Sequence, residues 1–105
     1  MSIYRVLVVD DDKLSREFLA HATEALGYQA LAVSSGAAAL EALNQSSFDL
    51  VLTDLRMPEM NGLELVERLQ ADHPDVPSVV VTAHGSIDDA VKALRIGAAD
   101  FLMKP

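Results

Sequence analysis

Asp10, Asp11, Asp54, Thr82 and Lys104 are the residues whose types could act together on one substrate. Adjacent carboxylates repel one another, so the run Asp10-Asp11-Asp12 is costly unless a cation or hydrogen-bond donors offset its charge. Carboxylate oxygens are hard ligands, and Mg²⁺ takes only a few of them while keeping several waters, so an acidic cluster open to solvent suits it. An ammonium and a hydroxyl opposite such an ion are what a phosphoryl group needs for charge neutralisation. Asp54 is then the natural nucleophile, and attack by its carboxylate would form an acyl phosphate. Taken singly, each residue has a plainer role: Asp54 caps a turn, Thr82 ends a strand and Lys104 is a surface charge. The chemistry depends on their convergence.

Hydrophobic patterning says how they would converge. Tyr4 to Val9 is a β-branched run with little alternation, which predicts a central strand, and it ends at Asp10. Asp12 is placed to cap the helix that follows, where Leu14, Phe18, Ala22 and Leu26 recur every four residues and predict its buried face, with Gly27 as its stop. Tyr28 to Val33 reads as a less apolar edge strand, and Ser34 or Ser35 caps a helix through Ala37 to Leu43. Phe48 to Asp54 is the next strand, and Pro58 forbids helix soon after Asp54. Asn61-Gly62 opens a helix with a Leu63, Leu65, Val66 and Leu69 stripe down to about Asp72, which Pro74 and Pro77 close. Ser78 to Thr82 is a further strand. Ser86 and Asp89 form a capping box for a helix over Ile87 to Ile96, with Ala90, Val91 and Leu94 facing inward and Leu94 or Ile96 reaching the surface. Asp100 to Met103 is a last strand before Lys104-Pro105.

Strand and helix alternate throughout, which predicts an α/β fold: a doubly wound, five-stranded parallel sheet with right-handed crossovers and ligand chemistry at the carboxyl ends of the strands. Asp10-Asp11, Asp54, Thr82 and Lys104 all fall at those ends. The whole chain, 1–105, reads as one domain, truncated before a fifth helix that such a sheet normally carries. Uncovered apolar residues such as Val79 and Val81 then imply a dimer, an exchanged element or poor stability.

Composition narrows the function classes. The chain has 105 residues, half of them apolar, and no cysteine, so it has no disulfide framework. A net charge of −8 argues against nucleic acid binding to this domain, because phosphate backbones would be repelled. No apolar run reaches the ~18 residues of a membrane span and no secretory signal is recognisable, so the expected compartment is the cytoplasm. An aspartate-nucleophile phosphatase would want a second acid two residues after the nucleophile, but Asp54 is followed by Leu55 and Arg56. Neither a Walker-type loop nor a Gly-x-Gly-x-x-Gly turn follows any strand. His21, His73 and His84 lack metal-ligand spacing, although His84 and Arg56 are close enough in sequence to Thr82 and Asp54 to tune attack by water.

Val8-Val9-Asp10-Asp11, Thr53-Asp54-Leu55-Arg56-Met57-Pro58 with Asn61-Gly62, Val81-Thr82-Ala83 and Phe101-Leu102-Met103-Lys104-Pro105 together resemble the receiver domain of two-component response regulators, with its flavodoxin-like strand order 2-1-3-4-5. The Asp-Leu-Arg-Met-Pro, Thr-Ala-His-Gly and Gly-Ala-Ala-Asp-Phe segments look most like receivers of nitrogen-regulator-class transcription activators. The nodulation and nitrogen-fixation type, with a helix-turn-helix output domain, is the second candidate subclass. The resemblance implies that Asp54 is phosphorylated by a sensor histidine kinase. Asp11, Asp54 and the backbone carbonyl of Arg56 would bind Mg²⁺ (or Mn²⁺) directly, and Asp10 through a water. Lys104 would pair with the phosphoryl oxygens and Thr82 would hydrogen-bond to them. It further implies that Phe101 is a switch aromatic, that the Lys104-Pro105 peptide is cis, that the domain homodimerises, and that it controls an output domain, covalent or separate, of transcriptional function, with DNA binding one form that output could take. On this reading the chain is a phosphoacceptor and not an enzyme with substrate turnover of its own.

Overall fold

The structure, a computed structural model, describes residues 4–105. Strands and helices alternate as β1 (Arg5–Val9), α1 (Lys13–Ala25), β2 (Gln29–Val33), α2 (Gly36–Gln45), β3 (Leu50–Thr53), α3 (Gly62–Asp72), β4 (Ser78–Thr82), α4 (Ile87–Arg95) and β5 (Asp100–Met103). All strand pairs are parallel, in the order β2-β1-β3-β4-β5. This is the expected doubly wound sheet, with β2 at one edge.

The caps show why the helices start where they do. Asp12 accepts from the Ser15 amide to open α1, and Ser35 does the same for α2. Asn61 with Glu64 and Ser86 with Asp89 form capping boxes at α3 and α4. Gly27 and Gly97, at positive φ just past α1 and α4, take the left-handed conformation that ends a helix.

Register decides which side chains share a face. Leu7, Val9, Val51 and Val80 lie on one side of the sheet, packed against α2, α3 and α4 through Ala39, Leu43, Leu65, Leu69, Val66 and Ala93. On the other side α1 crosses β2 and β1. There Leu50, Leu52 and Val79 are only half-buried, while Val81 is buried.

Two helical faces differ from expectation. In α1, Leu14, Phe18 and Leu26 are 77%, 57% and 74% exposed, and Ala22 is exposed as well. The helix instead buries Thr23, with Leu19 and Ala20 half-buried, where it packs on β2 and β1. Its apolar stripe therefore points sideways, bordering grooves lined by Val6, Leu50 and Leu52 at one end and Ala83 and Pro105 at the other. In α4 the buried residue is Ala93, whereas Val91 is exposed and Ala90 half-buried; Leu94, exposed, is the member of the Leu94 and Ile96 pair that reaches the surface as expected. A small residue sits at the point of closest packing, and the larger ones lie on its flanks.

Candidate functional site

Parallel strands deliver their carboxyl ends to one edge, so β1, β3, β4 and β5 bring Asp10, Asp54, Thr82 and Lys104 together from four separate parts of the chain. The register extends past the strands: the Asp54 amide donates to the Val9 carbonyl at 2.8 Å, and the Lys104 amide to the Thr82 carbonyl at 2.8 Å. Each residue is thus tied by its backbone to a neighbouring strand before its side chain acts.

Asp10 is fully buried. Its Oδ1 accepts from the Asp12 amide at 3.0 Å, its Oδ2 from Lys104 Nζ at 2.8 Å, and its carbonyl from an Arg16 guanidinium nitrogen at 2.8 Å. Burial pushes its carboxyl up, but Lys104, with the Ser15 side chain and the Asp12 amide, outweighs burial and holds it below the usual carboxylate value.

Asp54 is also buried, and its Oδ1 accepts from the Leu55 amide at 2.8 Å. Lys104 Nζ lies 3.6 Å from its Oδ2, farther than from Asp10. Burial first and the Asp10 charge second raise its carboxyl above the usual value, against weaker opposition from Lys104, the Leu55 amide and the Thr82 hydroxyl. The two neighbouring carboxylates are thus pushed apart, which singles out Asp54 as the group whose charge is poorly compensated.

Asp11 is exposed at the rim. Asp10, Asp11 and Asp54 each offer a carboxylate oxygen within 4.8 Å of the others. Three hard oxygen donors, an uncompensated negative charge and an open side fit a Mg²⁺-type ion, which the residues could hold without rearranging the sheet.

Thr82, buried, accepts from the His84 amide at 3.3 Å through its hydroxyl. Phe101 is half-buried and packs against the Leu55, Val66, Val80, Ala93 and Ala98 cluster. The end of its ring sits against Gly85: a Cβ there would lie 2.5 Å from Phe101 Cζ and 2.9 Å from Thr82 Cγ2. One expectation is corrected. The Lys104-Pro105 peptide is trans, there being no cis peptide bond among the described residues. Lys104 is aimed at Asp10 by its backbone bond to Thr82 and its own ion pairs, and that route does not call on a cis peptide.

Three features escape sequence reasoning. Arg16, one turn into α1, reaches back to the Asp10 carbonyl. Arg56 turns outward, donating from Nε to the His84 carbonyl at 3.4 Å and lying 3.5 Å from Asp89, so it ties the loop after β3 to the start of α4. Glu59 adopts φ 68°, and the Met60 amide donates to the Pro58 carbonyl around it. Only the nearness of Arg16 to the acidic run, four residues past Asp12, could have hinted at its role.

Known proteins carry the same framework. Residues 6–105 match the family model described as "Response regulator receiver domain". The chain is 41% identical to the transcriptional regulatory protein ZraR of Klebsiella oxytoca, over 95% of this chain and 23% of that protein. It is 42% identical to the response regulator protein FleR of Pseudomonas aeruginosa, over 96% and 21% respectively. The chain therefore spans less than a quarter of the length of these curated relatives. Among solved structures, a response regulator receiver protein from Pseudomonas putida superposes with a TM-score of 0.92 at 31% identity, covering 100% of this chain and 88% of that one. The beryllofluoride-activated NtrC4 receiver domain dimer does so at 0.89 and 35%, covering 96% and 84%. With the sheet order, the carboxylate cluster and the match over nearly its whole length in agreement, the chain belongs to the response regulator receiver domain family.

Proposed function

We propose that Asp54 accepts a phosphoryl group from the phosphohistidine of a sensor histidine kinase and that the modified site controls an output domain. The observation that carries this reading is the position of Asp54: a buried, poorly compensated carboxylate grouped with Asp10 and Asp11 and 3.6 Å from Lys104.

A carboxylate oxygen of Asp54 attacks phosphorus, the bond from phosphorus to the imidazole nitrogen breaks, and its electron pair leaves with the imidazole, which is then neutral or takes a proton. Bound Mg²⁺ supplies Lewis-acid neutralisation of the phosphoryl oxygens. Asp10, Asp11, Asp54 and the Arg56 carbonyl are the residues assigned to hold it, Asp10 through a water. Lys104, already poised between Asp10 and Asp54, pairs with a phosphoryl oxygen, and the Thr82 hydroxyl donates to another. Thr82 then draws toward Asp54 and relieves its side of the space beside Gly85, into which Phe101 turns. Such a change needs only a few kcal/mol of differential contact to reverse a two-state population.

The reading makes the chain a phosphoacceptor, with self-phosphorylation and autodephosphorylation as its only chemistry. The assigned compartment is the cytoplasm, and no helix among the described residues is long and apolar enough to cross a membrane. The similarity to transcriptional regulators supports a transcriptional, DNA-binding output. Exposed Val91, Leu94, Leu102 and Met103 on α4 and β5, together with the solved NtrC4 receiver domain dimer, support homodimerisation through that surface.

The test is intact mass after incubation with Mg²⁺ and acetyl phosphate, for the parent chain and Asp54→Asn. The expected result is one alkali-labile phosphoryl group that needs Mg²⁺ and is absent from the variant. Persistent label on Asp54→Asn would remove the assignment.

A further inference from the structure

Asp11 is strung between two pinned neighbours. On one side Asp12 is held by its amide to Asp10 Oδ1 and by its carboxylate to the Ser15 amide at 2.8 Å. On the other, the Asp10 side chain is held by Lys104 and the Asp12 amide, and its backbone amide donates to the Val33 carbonyl at 3.1 Å. The Asp10 carbonyl is the remaining acceptor, and Arg16 takes it at 2.8 Å. That carbonyl belongs to the same planar unit as the Asp11 amide, so fixing its oxygen fixes the direction in which Asp11 leaves the sheet. Arg16 can do so firmly because its own helix is anchored there: the Arg16 amide donates to the Asp12 carbonyl at 2.9 Å, and its side chain is half-buried.

We propose that Arg16 is a positioning residue of the cation site, holding the Asp10-Asp11 peptide so that the Asp11 carboxylate stays within reach of Asp10 and Asp54. The proposal rests on the reading of those carboxylates as a divalent-cation site. It makes a prediction opposite in sign to simple electrostatics. A guanidinium near the cluster repels a cation, so by charge alone its removal would tighten binding. If instead Arg16 orients a ligand, its removal weakens binding, as loss of a residue that orients metal ligands does by about 10- to 100-fold.

The experiment is calorimetric titration of the unphosphorylated chain with MgCl₂, for the parent, Arg16→Met and Arg16→Lys, with thermal midpoints in EDTA as a check on folding. Arg16→Met is expected to weaken Mg²⁺ about tenfold, and Arg16→Lys, which keeps the charge but not the planar fork, about threefold. Unchanged or tighter binding in a folded Arg16→Met would overturn the proposal while leaving the cation site standing. Should Arg16→Met fail to fold, unchanged affinity in Arg16→Lys would overturn it equally. Absence of Mg²⁺ binding by the parent would overturn the cation site itself, and this inference with it.

Discussion

Lys104 Nζ sits 2.8 Å from Asp10 Oδ2 and 3.6 Å from Asp54 Oδ2, so the ammonium is bound to the fully buried carboxylate of Asp10 and lies farther from that of Asp54. It is the countercharge of a fully buried anion. Lys104→Met should therefore destabilise the fold by about 2–3 kcal/mol, near the lower end for a broken buried pair because the lysine retains some solvent contact. Asp10→Asn combined with Lys104→Met should cost less than the sum of the single changes. A double-mutant cycle by urea denaturation measures this, and full additivity would contradict the pairing.

The opposite shifts of Asp10 and Asp54 give acid titrations of opposite sign. The lowered carboxyl of Asp10 contributes stability that is fully present above its unfolded value of 3.8 and is lost as pH falls through its folded value. The raised carboxyl of Asp54 means that its ionised form costs stability at neutral pH, and that this cost is relieved as pH falls through its folded value toward 3.8. Asp54→Asn should thus be more stable than the parent at about pH 7, with the advantage shrinking on acidification. Asp10→Asn should show a flatter loss of stability below the unfolded carboxylate value. Urea midpoints across the acid range test both.

Two glycines near the site should respond differently to alanine. At Gly62 a Cβ would overlap the Asp54 carbonyl oxygen and crowd the Leu55 Cα, and backbone cannot step aside, so Gly62→Ala should cost about 2–3 kcal/mol and impair phosphorylation. At Gly85 the obstruction is chiefly the far end of the Phe101 ring, which can rotate. Gly85→Ala should cost about 1 kcal/mol or less while moving Phe101. Denaturation and the aromatic proton resonances of Phe101 together separate the two outcomes.

Glu59 carries a left-handed φ of 68° without glycine's freedom, in a three-residue turn closed from the Met60 amide to the Pro58 carbonyl. Glu59→Gly should raise stability by about 0.5–1 kcal/mol, since relief of the side-chain clash exceeds the added entropy of the unfolded chain. A lowered denaturation midpoint would show that the Glu59 side chain holds the turn.

The sheet was legible because unalternating Val-rich runs ending in polar residues have few other readings, and parallel order then collects Asp10, Asp54, Thr82 and Lys104 at one edge. Caps at Asp12, Ser86 and Asn61-Gly62 were legible for the same reason: their partners lie three residues away. The α1 stripe misled because periodicity reports that a helix has an apolar side but not which neighbour that side meets. Leu14, Phe18 and Leu26 obey the period and still lie mostly in solvent, along the borders of the surface that α1 packs on. Arg16 and Arg56 act on main-chain carbonyls of other loops, and no spacing in a sequence encodes a carbonyl acceptor.

The bond between Lys104 and Asp10 spans 94 positions, nearly the full length of the chain. It closes only after every crossover has been made and β5 has docked on β4, so it belongs among the last native contacts to form, and its loop-closure entropy is met late. During synthesis Asp10 enters its strand long before its countercharge exists. Until Lys104 follows, the end of the first strand lacks the ammonium that offsets its carboxylate in the folded domain, so burial of Asp10 waits on a residue made 94 positions later.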